Sequence, residues 1–254
     1  MRLDGKVCII TGAASGMGLA MAQRFTREGA RVLAADWNAE RLAAAVADVQ
    51  AAGGEITASQ GDISDRGVAE GLTDLALQTY GQLDVLVNNA GIMDHMAAVG
   101  EMTDEIFERV MGVNLKGPVY ATRRAVRHML EHGGGSVVNV GSTASVSGGA
   151  AGAAYTMSKH ALLGLTRNTA WQYAQRGVRC NIILPGGTAT NIAETMPQDQ
   201  LDPTGAGRAG AFAALIPGYL QPGDIANLAL FLASDESKMI NGAIIAADGG
   251  WTAL

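Results

Sequence analysis

Tyr155 and Lys159 stand four positions apart in AAYTMSKHALLG, residues 153–164, a run that reads as helix. Positions i and i+4 share one helix face, so a phenol and an ammonium can meet there. A cation beside a phenol favours the phenolate and lowers a pKa that is ordinarily about 10, which makes a tunable acid/base. Taken alone, the pair is equally an ordinary half-exposed helix face, and the rest of the chain has to decide.

A second group of residues has the chemistry of phosphate binding. TGAASGMG, residues 11–18, follows the first strand-like run and opens the first helix-like one, with glycines at 12, 16 and 18. Glycines there let the backbone turn sharply and let phosphates approach the amides, where a helix N-terminus favours negative charge. The next strand-like run ends in Asp36. An acid in that place accepts hydrogen bonds from the ribose hydroxyls of an adenine dinucleotide and repels a 2′-phosphate, so the expected cofactor is NAD rather than NADP. No arginine occupies the glycine-rich turn or the residues just after Asp36, Trp37 and Asn38. Asp62, in QGDIS, stands where it could bond the adenine amino group. An S-adenosylmethionine methyltransferase could share the glycines and the acid, but it gives no reason for Tyr155 and Lys159.

These groups need elements to carry them. Strand-like runs (KVCIIT, RVLAAD, EITASQGD, LDVLVNN, SVVNVGS, VRCNIILP and AIIAADGG) alternate with helical stretches. That rhythm predicts right-handed crossovers and a seven-stranded parallel sheet covered by helices on both faces, an α/β fold. Long helices are predicted at about 102–132, 155–175 and 222–233. In such a sheet ligands bind beyond the carboxyl ends of the strands. The fourth, fifth and sixth strands end in NNAG (88–91), VGSTAS with Ser142, and LPGGTAT (184–190), so these segments reach the same rim as the glycine-rich turn. One domain spanning 1–254 is expected. The Gly-, Ala- and Pro-rich segment at about 191–222 breaks the rhythm and reads as a loop acting as a substrate lid.

At 254 residues, with 48% hydrophobic and 17% charged residues and 34 glycines, the composition is that of a globular chain with many turns. A formal charge of −6 without a basic cluster argues against a nucleic-acid partner. The start reads unlike a secretory signal, and no apolar run is long enough for a membrane span. Cys8 and Cys180 each fall in a predicted strand and read as buried thiols in a reducing cytoplasm.

In order and spacing, TGAASGMG, NNAG, Asn114 in VMGVNLKG, Ser142, YTMSK, PGGTAT and the terminal DGGW resemble the short-chain dehydrogenase/reductase family over essentially the whole chain. The resemblance implies a Rossmann-type, doubly wound fold, a bound nicotinamide dinucleotide, and an Asn114–Ser142–Tyr155–Lys159 tetrad. It implies an oxidoreductase interconverting a secondary alcohol and a ketone. Tyr155 would be the acid/base, with its pKa lowered by Lys159 and the positive nicotinamide, and Lys159 would also hold the nicotinamide ribose. Ser142 would bind the reacting oxygen, and Asn114 would hold a water linking Lys159 to solvent. Ser142 is alternatively a capping serine, with Thr143 and Ser145 as its competitors. The expected cofactor contacts are Gly12, Ser15, Gly16, Met17, Gly18, Asp36, Trp37, Asp62, Ile63, Asn89, Ala90, Gly91, Tyr155, Lys159, Pro185, Gly186, Thr188 and Thr190. Dimers or tetramers built on helices 114–132 and 155–175 are the family expectation. Two positions depart from the family pattern: Thr188, where Val or Ile is common, and Ala243, where Gln is usual.

HMLEH, residues 128–132, has the spacing of a zinc-peptidase motif, but it ends a helix where histidines meet the negative end of the dipole; no metal is expected. Arg123, Arg124 and Arg127 form a basic helix face that reads as a solvated or subunit-facing surface. The competing reading is a dock for an acidic carrier, as in a 3-oxoacyl-thioester reductase. A dinucleotide-sensing protein without turnover is the alternative from another class, against which the complete tetrad argues. Met93, Met96, Met196 and Phe212 point to a largely apolar substrate, and His95 reads as a surface polar residue that could touch it.

Overall fold

The computed structural model describes residues 1–253. Its first strand, β1 (Val7–Thr11), reads VCIIT and is buried throughout, as a strand covered on both faces must be. Alternation sends Cys8 and Ile10 into one layer of core and Val7 and Ile9 into the other. The same logic builds β2 (Arg31–Asp36), β3 (Glu55–Gln60), β4 (Val85–Asn88), β5 (Gly135–Val140), β6 (Val178–Pro185) and β7 (Ile244–Ala247). The seven strands form one parallel sheet in the order β3-β2-β1-β4-β5-β6-β7. Ile9 of β1 faces Leu33 of β2 on one side and Leu86 of β4 on the other. The winding direction therefore reverses at β1, and a crevice opens at the carboxyl ends of β1 and β4.

Helices α1 (Gly16–Arg27), α2 (Ala39–Ala51) and α8 (Pro222–Ala233) cover one face. There, Met21, Phe25, Leu42, Val49, Ile225 and Leu230 share a core with Cys8, Ile10 and Ile183. Burying a side chain such as Phe25, which is wholly covered, stabilises the fold by roughly 1.5–3 kcal/mol. The opposite face carries α3 (Arg66–Tyr80), α5 (Gly117–Glu131) and α6 (Ala153–Tyr173). Local signals set the ends of several helices. Asn38 caps α2 by accepting from Arg41 N at 3.0 Å, and Asp65 caps α3 by accepting from Val68 N at 2.9 Å.

Two elements depart from the sequence expectation. The helix expected over 102–132 is α4 (Asp104–Met111), a π-helical turn at Gly112–Lys116, and then α5. The wider turn carries Asn114, which is wholly buried. Segment 191–222, read as a loop, contains short 3₁₀ turns and α7 (Pro203–Ala213). Asp202 caps α7 by accepting from Gly205 N at 2.6 Å, and Pro203 begins it. Gly205, Gly207 and Gly210 depress helix propensity and mask it in the sequence.

Candidate active site

Gly12 follows β1 with φ +67°, and a Cβ there would lie 2.9 Å from Ala90 Cα. Only glycine accepts both that conformation and that approach. Asn89 Nδ2 donates to Thr11 O at 2.9 Å and Gly12 O at 3.1 Å, while Thr11 Oγ1 accepts from the Asn89 and Ala90 amides. The glycine-rich turn and the end of β4 are thus stitched into one floor. Asp36 extends the stitching, because its carboxylate accepts from Ala14 N and from Asn38 N, each at 3.0 Å.

Above this floor lies a cavity of about 760 Å³, within the size range of small-molecule sites. It runs from Asp36, Trp37 and Asp62 past Gly12, Ser15, Gly16 and Met17 to Tyr155 and Lys159. Ile63, Asn89, Ala90, Gly91 and Thr190 also line it. Trp37 is 71% exposed, so its ring is available to a flat ligand. Asp62 closes a local turn by accepting from Ser64 N at 2.9 Å. An acid at one end, a helix N-terminus over open amides in the middle and a phenol–ammonium pair at the other end fit a dinucleotide.

Other expected contacts lie outside the cavity lining. Gly18 packs beneath the turn, where a Cβ would collide with Gly12 O. Gly186 is hydrogen-bonded to Ala247 and closely backed by Asp248, and Pro185 ends β6. Thr188 Oγ1 turns back to Gly186 O at 3.1 Å, and its backbone pairs with Leu220. Ala243 makes only backbone bonds, including one to Asn181 Oδ1, which agrees with a packing role.

At the reacting end, Tyr155 is 6% and Lys159 3% exposed. Lys159 Nζ lies 5.4 Å from the Tyr155 ring centroid and donates to Val140 O at 3.0 Å. The pair therefore shares one helix face, as the spacing implied. The direction of the phenol's shift does not follow the expectation. Burial raises Tyr155 to about 12, the Ser142 hydroxyl lowers it, and the Asp94 charge raises it further. Lys159 is not among these influences, and burial drops its own pKa to about 8. Desolvation of two buried side chains outweighs their mutual effect.

Ser142 comes close enough to Tyr155 to act on it, and its hydroxyl also accepts from Ala144 N at 3.1 Å. Ser142 is therefore a capping serine whose hydroxyl also stands beside the phenol. The Ser145 hydroxyl instead accepts from Ser142 N and is not among the groups acting on the phenol. The Asn114 side chain is a brace: Nδ2 donates to Ile92 O and Ser158 Oγ, and Oδ1 accepts from Ile92 N. Ser158 in turn donates to Tyr155 O at 2.7 Å.

Sequence reading passed over Arg41 and Glu194. Arg41 lines the cavity and pairs with Glu194 at 2.8 Å. Arg41 lies beyond Trp37 and Asn38 in sequence, and only the first turn of α2 brings it back to the crevice. Thr195 Oγ1 accepts from Met93 N at 3.0 Å, so segment 190–195 is tied to both sides of the crevice. Phe212 packs on Trp251 with ring centroids 4.5 Å apart and the rings tilted by 31°, and Trp251 Nε1 donates to Phe212 O.

The remaining motifs resolve simply. His128 and His132 stack on each other at 4.0 Å, and no group of three potential metal ligands occurs among the described residues. Arg123 pairs with Glu70 at 2.7 Å and Arg124 with Asp74 at 2.5 Å, so both are spent across α3. Cys8 and Cys180 are buried free thiols, both raised by burial. No helix among the described residues is long and apolar enough to cross a membrane.

Known proteins match this chain along nearly their full length. Residues 12–252 match the family model described as enoyl-(acyl carrier protein) reductase. The chain is 44% identical over 252 residues to 3β-hydroxysteroid dehydrogenase 2 of Eggerthella lenta, covering 99% of this chain and 96% of that one. It is 38% identical over 260 residues to a short chain dehydrogenase of Penicillium rubens, covering 99% of each. Among solved structures, one provisionally assigned as an NAD(P)-dependent gluconate 5-dehydrogenase of Beutenbergia cavernae, with NADP bound at low occupancy, superposes with a TM-score of 0.88. It is 35% identical and is covered to 99% by all of this chain.

Proposed function

The chain belongs to the short-chain dehydrogenase/reductase family of oxidoreductases that interconvert secondary alcohols and ketones, and we propose that it does so with NAD(H) on an apolar hydroxy compound of steroid-like size. The observation that carries this reading is the single crevice joining Asp36 to Tyr155 and Lys159. When bound, the dinucleotide supplies the nicotinamide carbon that takes or gives the hydride. The cradle for it is Gly12, Ser15, Gly16, Met17, Asp36, Trp37, Asp62, Ile63, Asn89, Ala90, Gly91 and Thr190, with Gly18, Pro185, Gly186 and Thr188 shaping the loops behind.

Tyr155 moves the proton. Its buried phenol is held protonated, the form that hands a proton to a ketone oxygen; as phenolate it takes the proton of an alcohol. Ser142 steadies the reacting oxygen and already eases Tyr155 toward ionisation. Lys159, with a pKa of about 8, carries and exchanges a proton near neutrality and would hold the nicotinamide ribose. Asn114 braces the segment after β4 against Ser158 of α6.

NAD is favoured over NADP by the Asp36 carboxylate, and by Arg41 being engaged with Glu194 rather than free for a 2′-phosphate. The substrate reading draws on the Eggerthella relative's name and on the apolar side chains of Met93, Phe212 and Trp251. Segment 191–222 serves as the lid of a single domain. Exposed Met157 and Trp171 on α6 support a homo-oligomer, a tetramer or dimer, and the buried thiols support a cytoplasmic setting. Steady-state assays of hydroxysteroids and small secondary alcohols with NAD⁺ and NADP⁺ test the proposal. Hydroxysteroid turnover is expected, with kcat/KM at least roughly tenfold higher for NAD⁺. Preference for NADP⁺, or for small polar alcohols, would overturn the corresponding part.

A further inference from the structure

Helix α6, which carries Tyr155 and Lys159, starts from Gly152, which has no side chain to cap it, and has no acidic residue in its first turn. Asp94, from the loop after β4, does the capping from 58 residues away. Its Oδ1 accepts from Met96 N and Gly152 N, each at 3.1 Å, and its Oδ2 accepts from Tyr155 N at 2.9 Å. Ala153 N donates to Ala97 O at 2.8 Å and completes the seam. The fit is mutual, because a Cβ on Gly152 would lie 2.6 Å from Asp94 Oδ2. The seam also holds Met96 at φ +60°, the one non-glycine residue with positive φ among those described.

Asp94 is 2% exposed and has no ion-pair partner among the described residues. A buried carboxylate bound only by amides keeps its field, and that field falls on the helix end where Tyr155 sits. The amides there carry a partial positive charge that would otherwise favour a phenolate. We propose that Asp94 is a positioning residue: its buried carboxylate locks the start of α6 to the loop after β4 and sets a negative charge at the helix end that carries Tyr155. The catalytic weight of the second half rests on Tyr155 being the acid/base proposed above.

The other groups around the phenol leave Asp94 as the main anionic influence. Lys159 lies on the same helix, and Ser142 on the adjoining segment is a neutral hydroxyl. Asp104, Glu105, Glu108 and Arg109 of α4, packed against α6, are exposed, as is Lys116, which pairs with Glu108. His95 is next in chain to Asp94, and its imidazole Nε2 is buried with no partner among the described residues.

Asp94→Asn removes the charge and leaves an oxygen for Met96 N and Gly152 N, at the loss of the bond from Tyr155 N. The acid limb of kcat/KM for alcohol oxidation should move down by roughly one pH unit, because oxidation needs the phenolate and a neighbouring anion opposes it. Plateau kcat should stay within roughly threefold. Asp94→Ala should also open the seam, with faster amide exchange in 92–97 and 152–156 and plateau kcat down roughly tenfold or more. If Asp94→Asn does not fold, Gly152→Ala, which unseats the carboxylate but keeps its charge, should give the same local exchange. A wild-type pH profile in Asp94→Asn overturns the electrostatic role, and unchanged exchange in Asp94→Ala overturns the anchoring role. Should the wild type turn over no alcohol or ketone, the functional reading falls, while the exchange data still decide whether Asp94 anchors α6.

Discussion

Replacing Lys159 with Met tests the desolvation of the ammonium without any assay of activity. Lys159 is 3% exposed, has one protein acceptor, Val140 O, and has its pKa lowered to about 8 by burial. An ordinary lysine titrates at about 10.4, so the native state disfavours the charged form by about 3 kcal/mol, at 1.36 kcal/mol per pKa unit. Between about pH 8 and 10.4 the unfolded chain holds a proton that the native chain has released, so wild-type stability should rise with pH across that window. Lys159→Met removes the group from both states. Its stability advantage over wild type should be constant below about pH 7.5 and shrink by about 2–3 kcal/mol by about pH 10. Tyr155, raised to about 12, erodes native stability above its ordinary pKa, but it is present in both proteins and largely cancels. Urea unfolding of the two proteins at several pH values measures the difference directly. A difference that stays level through the window would show that the ammonium is not desolvated, and the pKa argument for the reacting end would fail with it.

Three other expectations follow from named contacts. Gly12→Ala, strained by φ +67° and by Ala90 at 2.9 Å, should lose about 1–3 kcal/mol in urea unfolding and weaken NAD binding; wild-type values for both would contradict the close approach. Asp36→Ala should raise kcat/KM for NADP⁺ relative to NAD⁺ by roughly 10–100-fold, and adding Glu194→Gln, which frees Arg41, should extend the change. An unchanged ratio would remove Asp36 from cofactor selection. Phe212→Ala, which loses the ring contact with Trp251, should raise KM for a bulky apolar substrate roughly tenfold with kcat little altered, and leave small alcohols unaffected. Equal effects on both would place Phe212 away from the substrate.

The strands were legible because a sheet covered on both faces writes continuous apolar runs, as in VCIIT. Tyr155 and Lys159 were legible because helical spacing is fixed, and the glycine-rich turn because Gly12 meets both a conformational and a steric demand there. Other features depend on approaches that local spacing does not encode. Asp94 reaches Tyr155 N across 61 residues, and Arg41 returns to the crevice only once α2 is folded. The π-helical turn at Asn114 has no residue signature, and α7 hides behind its glycines. The upward push of burial on the phenol was not legible, because neighbouring charge can be read from spacing, whereas the extent of burial cannot. The basic face of α5 illustrates the same limit. Its arginines were visible in the sequence, but the partners of Arg123 and Arg124 on α3 were not.

Tyr155→Phe is the most direct test of the chemistry. The variant keeps the ring and loses the hydroxyl, so NADH formation from any alcohol the wild type accepts should fall by at least roughly a thousandfold, while NAD binding measured by calorimetry stays within about twofold. Turnover close to the wild-type rate in that variant would mean that the proton travels by another group.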